Sequence, residues 1–165
     1  MILSSPAAYA LAAVLGFAAL GKVSDIGGFA GAIAGYRMLP QSWTSTVAGV
    51  VVGGELLSAI LLVWPHTRFW GALLSLGLLA AFLVGMLGVL RRGLRVDCGC
   101  FRTTGPEEIV GPGTVVRTGL LLVLAVLAAL PGEPAFRLVH LLLAVLMLVT
   151  VFLSATLVSF TARSA

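Results

Sequence analysis

The chain has 165 residues, of which 60% are apolar and only 10% are charged. A water-soluble protein carries about 25% charged residues, so this chain has too little polar surface to enclose a soluble globule. Its net charge of +4 comes mostly from arginines at the ends of apolar runs, where such residues anchor helices to lipid headgroups. The composition therefore predicts a multi-pass protein of a cell membrane, as in a bacterial inner membrane, with the lipid bilayer and not nucleic acid as its partner.

The apolar runs predict the architecture, because a spanning helix needs about 20 apolar residues. One integral membrane domain is predicted over 1–165, with spans at about 6–24, 44–64, 69–90, 114–130 and 136–160. A shorter run at about 26–39 ends in an aromatic–arginine pair and a proline, which indicates an interfacial helix. The predicted fold class is all-α: a polytopic membrane helical bundle with a four-helix core, a fifth C-terminal span and a short interfacial helix.

The only two cysteines, Cys98 and Cys100, are one residue apart in a polar loop between the third and fourth predicted spans. A Cys-x-Cys disulfide closes a small, strained ring, and Gly99 relieves part of that strain because glycine adopts backbone angles closed to other residues. A strained, accessible disulfide accepts electrons readily. Among the neighbouring charges, Arg95 and Arg102 favour the thiolate and Asp97 opposes it.

Three uses of this cysteine pair are open on the sequence alone. The first is thiol–disulfide exchange, and the second is a structural disulfide in a non-catalytic subunit or scaffold of a membrane complex. The third is Cu(I) handling, since two thiolates suit that ion. No histidine lies near the pair, and a tetrahedral zinc site needs two more ligands, so no metal site is predicted.

A carboxylate inside the second predicted span is the other candidate functional group. Glu55 lies about 16 Å along the helix from Thr44, close to the bilayer midplane. An ionised carboxylate there is costly unless it is paired or protonated. Lys22 and Arg117 lie near the membrane edge on the side of the cysteine loop, and either can reach inward. Glu55 is therefore interpreted either as a catalytic proton acceptor or substrate-orienting group, or as half of a buried ion pair that fixes helix packing.

The arginines predict an orientation. With five spans, the face that carries the cysteine loop holds Arg37, Arg91, Arg92, Arg95, Arg102 and Arg163. The opposite face holds Arg68 and Arg137. By the positive-inside rule the richer face is cytoplasmic, which places the cysteine loop inside the cell and the N-terminus outside.

Five segments in chain order carry a resemblance to a known family: Gly21-Lys22-Val23-Ser24-Asp25, Phe29 with Tyr36-Arg37-Met38-Leu39-Pro40, Gly54-Glu55, Cys98-Gly99-Cys100-Phe101, and Val116-Arg117. With them the chain resembles the MauE family of methylamine-utilisation membrane proteins, within the wider DoxX-like group. The Cys-Gly-Cys-Phe motif is the most specific element. Arg102 and Thr118 depart from the glycine and asparagine that are usual in the family.

The resemblance implies a bundle comparable to the quinone-linked disulfide-forming membrane enzymes, and a role in disulfide formation or electron transfer during maturation of exported redox proteins. By position, Cys98 and Cys100 would be the redox pair, and Glu55, Lys22 and Arg117 the polar residues beneath them. The implied partners are a thioredoxin-like or other redox protein and subunits of a membrane complex. A quinone cofactor follows from the fold analogy alone. A role in export conflicts with the cytoplasmic loop that the arginines predict.

Overall fold

The computed structural model describes residues 4–98, 109–130, 143–151 and 153. The helices named here are α1 (Ser4–Ser24), α2 (Ile26–Gly35), α3 (Thr44–Val63), α4 (Arg68–Arg91) and α5 (Pro112–Ala129). A short 3₁₀ helix, Gln41–Trp43, runs directly into α3. Within the described ranges, four helices are long and apolar enough to cross a membrane: α1, α3 with its 3₁₀ extension, α4 and α5. The predicted all-α fold of the membrane type is confirmed.

The four long helices form a closed ring in which α1 and α4 each pack against both α3 and α5. The buried face of α1 is rich in alanine, and small residues allow helix backbones to approach closely in a membrane. Buried members of this face are Ala7, Ala8, Ala10, Ala12, Ala18 and Ala19. The fifth predicted span lies largely outside the described residues, but residues 143–151 are helical, and Ala144 and Val151 join the hydrophobic core to which α1, α3, α4 and α5 all contribute.

Two contacts fix the relative direction of α1 and α3. Lys22 near the end of α1 meets Glu55, and Gly16 lies beside Ala59, so the residue numbers rise on one helix as they fall on the other. The two helices are therefore antiparallel. We use the name loop end for the end of the ring where α1 and α4 finish and α3 and α5 begin. At the opposite end, Arg68 donates a 3.0 Å hydrogen bond to the Ser5 hydroxyl.

The short helix α2 is shorter than predicted. Its first turn is capped by Asp25, whose carboxylate accepts a 2.9 Å hydrogen bond from the Gly28 N–H. It ends at Gly35 and not near 39, because Arg37 adopts a left-handed backbone with φ of 51°. A left-handed residue cannot continue a right-handed helix, and Pro40 further disfavours helical angles just before it.

The turn between α3 and α4 is tight because one glycine permits it. A Cβ on Gly71 would lie 2.8 Å from the backbone nitrogen of Leu62 and 2.9 Å from the Leu61 Cβ. The Thr67 hydroxyl closes the same turn by donating to the Leu61 carbonyl at 2.9 Å. This end of the bundle is therefore closely packed.

Candidate functional site

Lys22 of α1 and Glu55 of α3 form an ion pair inside the bundle. The Lys22 Nζ lies 2.6 Å from Oε1 and 2.8 Å from Oε2 of Glu55, and the two side chains are 1% and 3% exposed. Removing both ions from water is costly, and a two-oxygen contact of this quality offsets part of that cost. The pair therefore fixes the register of α1 against α3, since any shift would leave a charge buried without its counter-ion.

Two aromatic rings flank the ammonium group. The Lys22 Nζ lies 5.2 Å from the centroid of the Phe29 ring and 5.5 Å from that of Phe82. Both distances are within the range of about 6 Å at which a ring attracts a cation. Phe29 belongs to α2 and Phe82 to α4, so one ammonium group contacts side chains from three other helices.

A second cationic residue from α5 lies at the same place. A small cavity of about 20 Å³ is lined by Lys22, Glu55, Arg117 and Thr118, with Phe82 on its wall. Arg117 and Thr118 are both buried, and this volume is about that of one water molecule. We call Lys22, Glu55, Arg117 and Thr118 the polar cluster. With its two flanking rings, this cluster brings all five helices together.

The cysteine loop leaves and re-enters the bundle through two short, adjacent segments. Asp97 and Ile109 form an isolated antiparallel bridge, and the Val110 N–H donates to the Val96 carbonyl at 2.9 Å. The chain on either side of 99–108 is therefore held together. This arrangement fixes Cys98, the first cysteine, at the point where the loop leaves the bundle.

Cys98 is buried, with 1% of its surface exposed, in an apolar cluster that includes Met86, Val89 and Val110. Its sulfur lies 4.0 Å from the Met86 sulfur, and its carbonyl accepts a 3.3 Å hydrogen bond from the Tyr36 hydroxyl. The motif's first sulfur therefore packs against the end of α4, under the C-terminal end of α2.

Beside Cys98 lies a larger cavity of about 200 Å³, which we call the apolar cavity. Its walls come from α2, the segment that follows α2, α3 and α4. They include Phe29, Tyr36 and Phe82, and the loop contributes Cys98. Phe82 also lines the small cavity of the polar cluster, so this ring stands between the two cavities.

Arg92 fixes the part of the cavity wall that follows α2. Its guanidinium donates to the Tyr36 carbonyl at 2.8 Å and to the Arg37 carbonyl at 3.4 Å, while its Nε donates to the Gly88 carbonyl at 2.9 Å. Gly85 allows the Tyr36 ring to lie on α4, because a Cβ at that position would be 3.1 Å from the ring. The end of α2 is thus fastened onto the end of α4.

Residues 1–131 match the family model described as methylamine utilisation protein MauE. The chain belongs to the MauE family. It is 32% identical over 120 residues to the methylamine utilization protein MauE of Paracoccus versutus, an alignment that covers 72% of this chain and 64% of that protein. The corresponding protein of Paracoccus denitrificans is 34% identical over 119 residues, covering 72% and 63% of the two chains. That of Methylophilus methylotrophus is 30% identical over 125 residues, covering 74% and 66%.

This MauE-family chain spans about 64% of the length of the first of these curated relatives, so the match concerns only part of each. No solved structure matches the chain. The resemblance predicted from the sequence motifs is confirmed at the level of the family.

The structure brings some of the predicted site residues of this MauE-family chain together. Lys22, Glu55 and Arg117 line one cavity, and Cys98 lines the neighbouring one. Asp97 lies in the bridge at the base of the loop. The remaining predicted site residues, Cys100 and Arg102, lie outside the described residues. Within the described ranges, no cluster of three or more histidine, cysteine, aspartate or glutamate residues is arranged to hold a metal ion.

Several residues that shape the site carry no distinguishing sequence signal. Phe82 lies within a continuous apolar span, where an aromatic residue looks like any other lipid-facing or core residue. Met86 and Gly85 lie in the same span. Tyr36 has a partial signal, since it forms an aromatic–arginine pair with Arg37, but that pair predicts contact with the membrane interface and not with a cysteine.

The ion pair gives a stability prediction. Replacing Lys22 alone (Lys22→Met) leaves the Glu55 carboxylate buried without its counter-ion, and we expect the free energy of unfolding to fall by about 3–5 kcal/mol. The double variant Lys22→Met/Glu55→Leu removes both charges and should recover most of that loss. Reversible unfolding of the purified protein in mixed micelles measures both values.

The matched control is Arg91→Met, which removes one positive charge from an exposed position at the end of α4. This control should change the free energy of unfolding by about 0.5 kcal/mol or less. Equal losses for Lys22→Met and the control would contradict the structural role assigned to the ion pair.

Proposed function

We propose that this protein is a membrane-embedded thiol–disulfide redox protein in which Cys98 and Cys100 alternate between dithiol and disulfide. It exchanges electrons with a thioredoxin-like or other redox partner protein, and so aids disulfide formation or electron transfer in that partner. The single observation that supports this proposal best is the position of Cys98. Its sulfur is buried at the wall of an apolar cavity beside the Met86 sulfur, and its carbonyl accepts a hydrogen bond from the Tyr36 hydroxyl, at the base of a loop whose two ends are paired.

The burial of Cys98 suggests different tasks for the two sulfurs. A protein partner cannot reach a sulfur that is 1% exposed, so we assign the exchange with the partner to Cys100. A thiolate of the reduced partner attacks the Cys100 sulfur, and the bond between Cys98 and Cys100 breaks with release of the Cys98 thiolate. The partner's second thiolate then displaces Cys100. The partner loses two electrons and gains a disulfide, and the cysteine pair gains the two electrons.

The polar cluster is proposed to support this exchange. Disulfide reduction and re-oxidation take up and release protons, and Glu55 is the carboxylate that can accept one within the bundle. Lys22 holds that carboxylate in place through contacts of 2.6 and 2.8 Å, and Arg117 lines the same small cavity. Asp97 and Arg102 flank the cysteines in sequence and are proposed to adjust thiolate formation.

The biological setting is proposed from the relatives. They are named as methylamine utilization proteins, and we propose that this chain serves a comparable system together with other membrane or redox proteins of that system. A subunit or scaffold role with a structural disulfide is the second candidate. The close packing of the alanine-rich α1 against its neighbours in the ring would serve either role.

Trapping distinguishes the exchange role from the structural role. In the Cys98→Ser variant, Cys100 attacks the disulfide of an oxidised partner and releases that partner's second thiolate, and this chain holds no second cysteine to complete the exchange. Alkylation of the released thiolate then traps the adduct. We therefore expect a mixed disulfide with oxidised thioredoxin, used as a surrogate partner, visible as a shifted band on a non-reducing gel. The Cys100→Ser variant should give far less adduct, because Cys98 is buried.

The variant with both cysteines replaced by serine is the control for adducts that form elsewhere. A reducing agent should abolish the shifted band of Cys98→Ser. The absence of an adduct from both single variants, with either thioredoxin or the proteins of the native membrane, would favour the structural disulfide and contradict the exchange role.

We further propose that the loop end faces the cytoplasm, because the described arginines of that end outnumber those of the opposite end. In a background without native cysteines, Arg95→Cys introduces an exposed thiol at the loop end and His66→Cys an exposed thiol at the opposite turn. The cells are treated so that their outer membrane is permeable and their inner membrane stays intact. A maleimide that cannot cross the inner membrane should then label His66→Cys and not Arg95→Cys. Labelling of Arg95→Cys alone would reverse the orientation and agree with a role in export.

A further inference from the structure

We infer that the apolar cavity beside Cys98 is the binding site for the ring headgroup of a lipid-soluble quinone. This inference rests on the proposed function, which needs an acceptor for the two electrons that the cysteine pair takes from its partner. The structural argument concerns the size of the cavity, its walls, its opening and its reactive end.

The size of the cavity suits one small ring system. Its volume is about 200 Å³, and an apolar cavity of about 150 Å³ is known in an unrelated protein to take up benzene. A substituted benzoquinone or naphthoquinone ring is somewhat larger than benzene, and its isoprenoid tail does not need to fit inside. The cavity is small for a complete drug-sized ligand, which agrees with a headgroup whose tail stays in the bilayer.

The walls of the cavity are suited to a flat, apolar ring. Phe29, Tyr36 and Phe82 supply three aromatic side chains from α2, the segment after it, and α4. Aromatic rings pack favourably against another ring in offset-stacked or edge-to-face arrangements. Two of these side chains, Phe29 and Phe82, are also held by the ammonium of Lys22, so part of the wall is fixed before any ligand arrives.

Part of the cavity wall lies at the surface of the bundle. Met38 and Leu39 line the cavity and are 47% and 42% exposed, and Ala81 of α4 is also exposed. Because α4 is long and apolar enough to cross a membrane, its exposed face at Ala81 is expected to border lipid. The cavity also includes Val47 and Val51 from the first two turns of α3, so it lies in the loop-end half of the bundle. A ligand dissolved in the bilayer can therefore enter sideways, and its tail can remain among the lipid chains.

The cavity has one reactive end, where Cys98 forms part of the wall. In the reaction proposed here, Cys98 and Cys100 as thiols lose two electrons and two protons and form a sulfur–sulfur bond. The quinone gains the two electrons and two protons at its oxygens and leaves as the hydroquinone. The Tyr36 hydroxyl, which lies 3.3 Å from the Cys98 carbonyl, is a polar group at this end of the cavity wall. A lipid acyl chain would fit an apolar groove, but it would make no use of a sulfur at its end.

Photolabelling tests the site independently of any redox turnover. The full chain in nanodiscs is irradiated with an azido-substituted short-chain ubiquinone, and the labelled peptides are identified by mass spectrometry. We expect label on the segments of α2 and α4 that carry Phe29 and Phe82, and we expect decylubiquinone to compete it away. Ala32→Phe, which adds a ring at a cavity wall, should lower the competed label by about tenfold or more, as filling a pocket removes its ligand.

The matched control is Ala13→Phe, the same substitution at an exposed position of α1 outside the cavity wall, which should label as the unaltered protein does. Ala81→Trp is a second filling variant in case Ala32→Phe fails to fold, as judged by gel filtration. Three results would overturn the inference. Decylubiquinone could fail to displace the label, oleate could displace it equally well, or the label could persist in both filling variants although they fold.

The redox state of the two cysteines in the unaltered chain, followed by alkylation and mass spectrometry beside the competed label, separates this inference from the proposed function. Competed label together with cysteines that never change redox state would contradict the redox function and leave the quinone site standing. Reactive cysteines without competed label would do the reverse.

Discussion

The buried contact between Lys22 and Glu55 is the constraint on which the loop end of this protein depends. A charged pair inside a bundle of apolar helices is tolerated only when each charge has its partner, and here both carboxylate oxygens lie within 2.8 Å of the ammonium. The contact sets the register of α1 against α3. Because Phe29 and Phe82 pack around the same ammonium, it also positions α2 and α4.

The position of the cysteine loop follows from that arrangement. When α2 is packed against the bundle, Tyr36, the residue that follows it, lies over the end of α4. There Arg92 donates a hydrogen bond to the Tyr36 carbonyl, and the Tyr36 hydroxyl donates one to the Cys98 carbonyl. The apolar cavity is the space between α2, α3 and α4, and Tyr36 and Cys98 form part of its wall. Phe82 separates the apolar cavity from the polar cluster. One side of its ring therefore faces a space suited to apolar ligands, and the other side faces ionisable groups.

Much of this architecture could be predicted from the sequence, because a membrane imposes strong rules on composition and length. Apolar runs of about 20 residues predict spanning helices, and a glutamate within one of them must find a counter-ion. The sequence did not predict the end of α2, since the left-handed Arg37 depends on the bonds from Arg92, a residue 55 positions away. It also did not predict that Phe82 would line two cavities, because an aromatic residue in an apolar span has no distinguishing pattern.

A redox titration of the folded protein tests the central claim most directly, namely that Cys98 and Cys100 open and close as a pair. The protein in nanodiscs is equilibrated with graded mixtures of reduced and oxidised glutathione, alkylated, and weighed intact by mass spectrometry. The account predicts one reversible two-electron transition in which both cysteines gain or lose the alkyl label together, without unfolding. A pair that keeps one state across the whole range until the protein is denatured would contradict it.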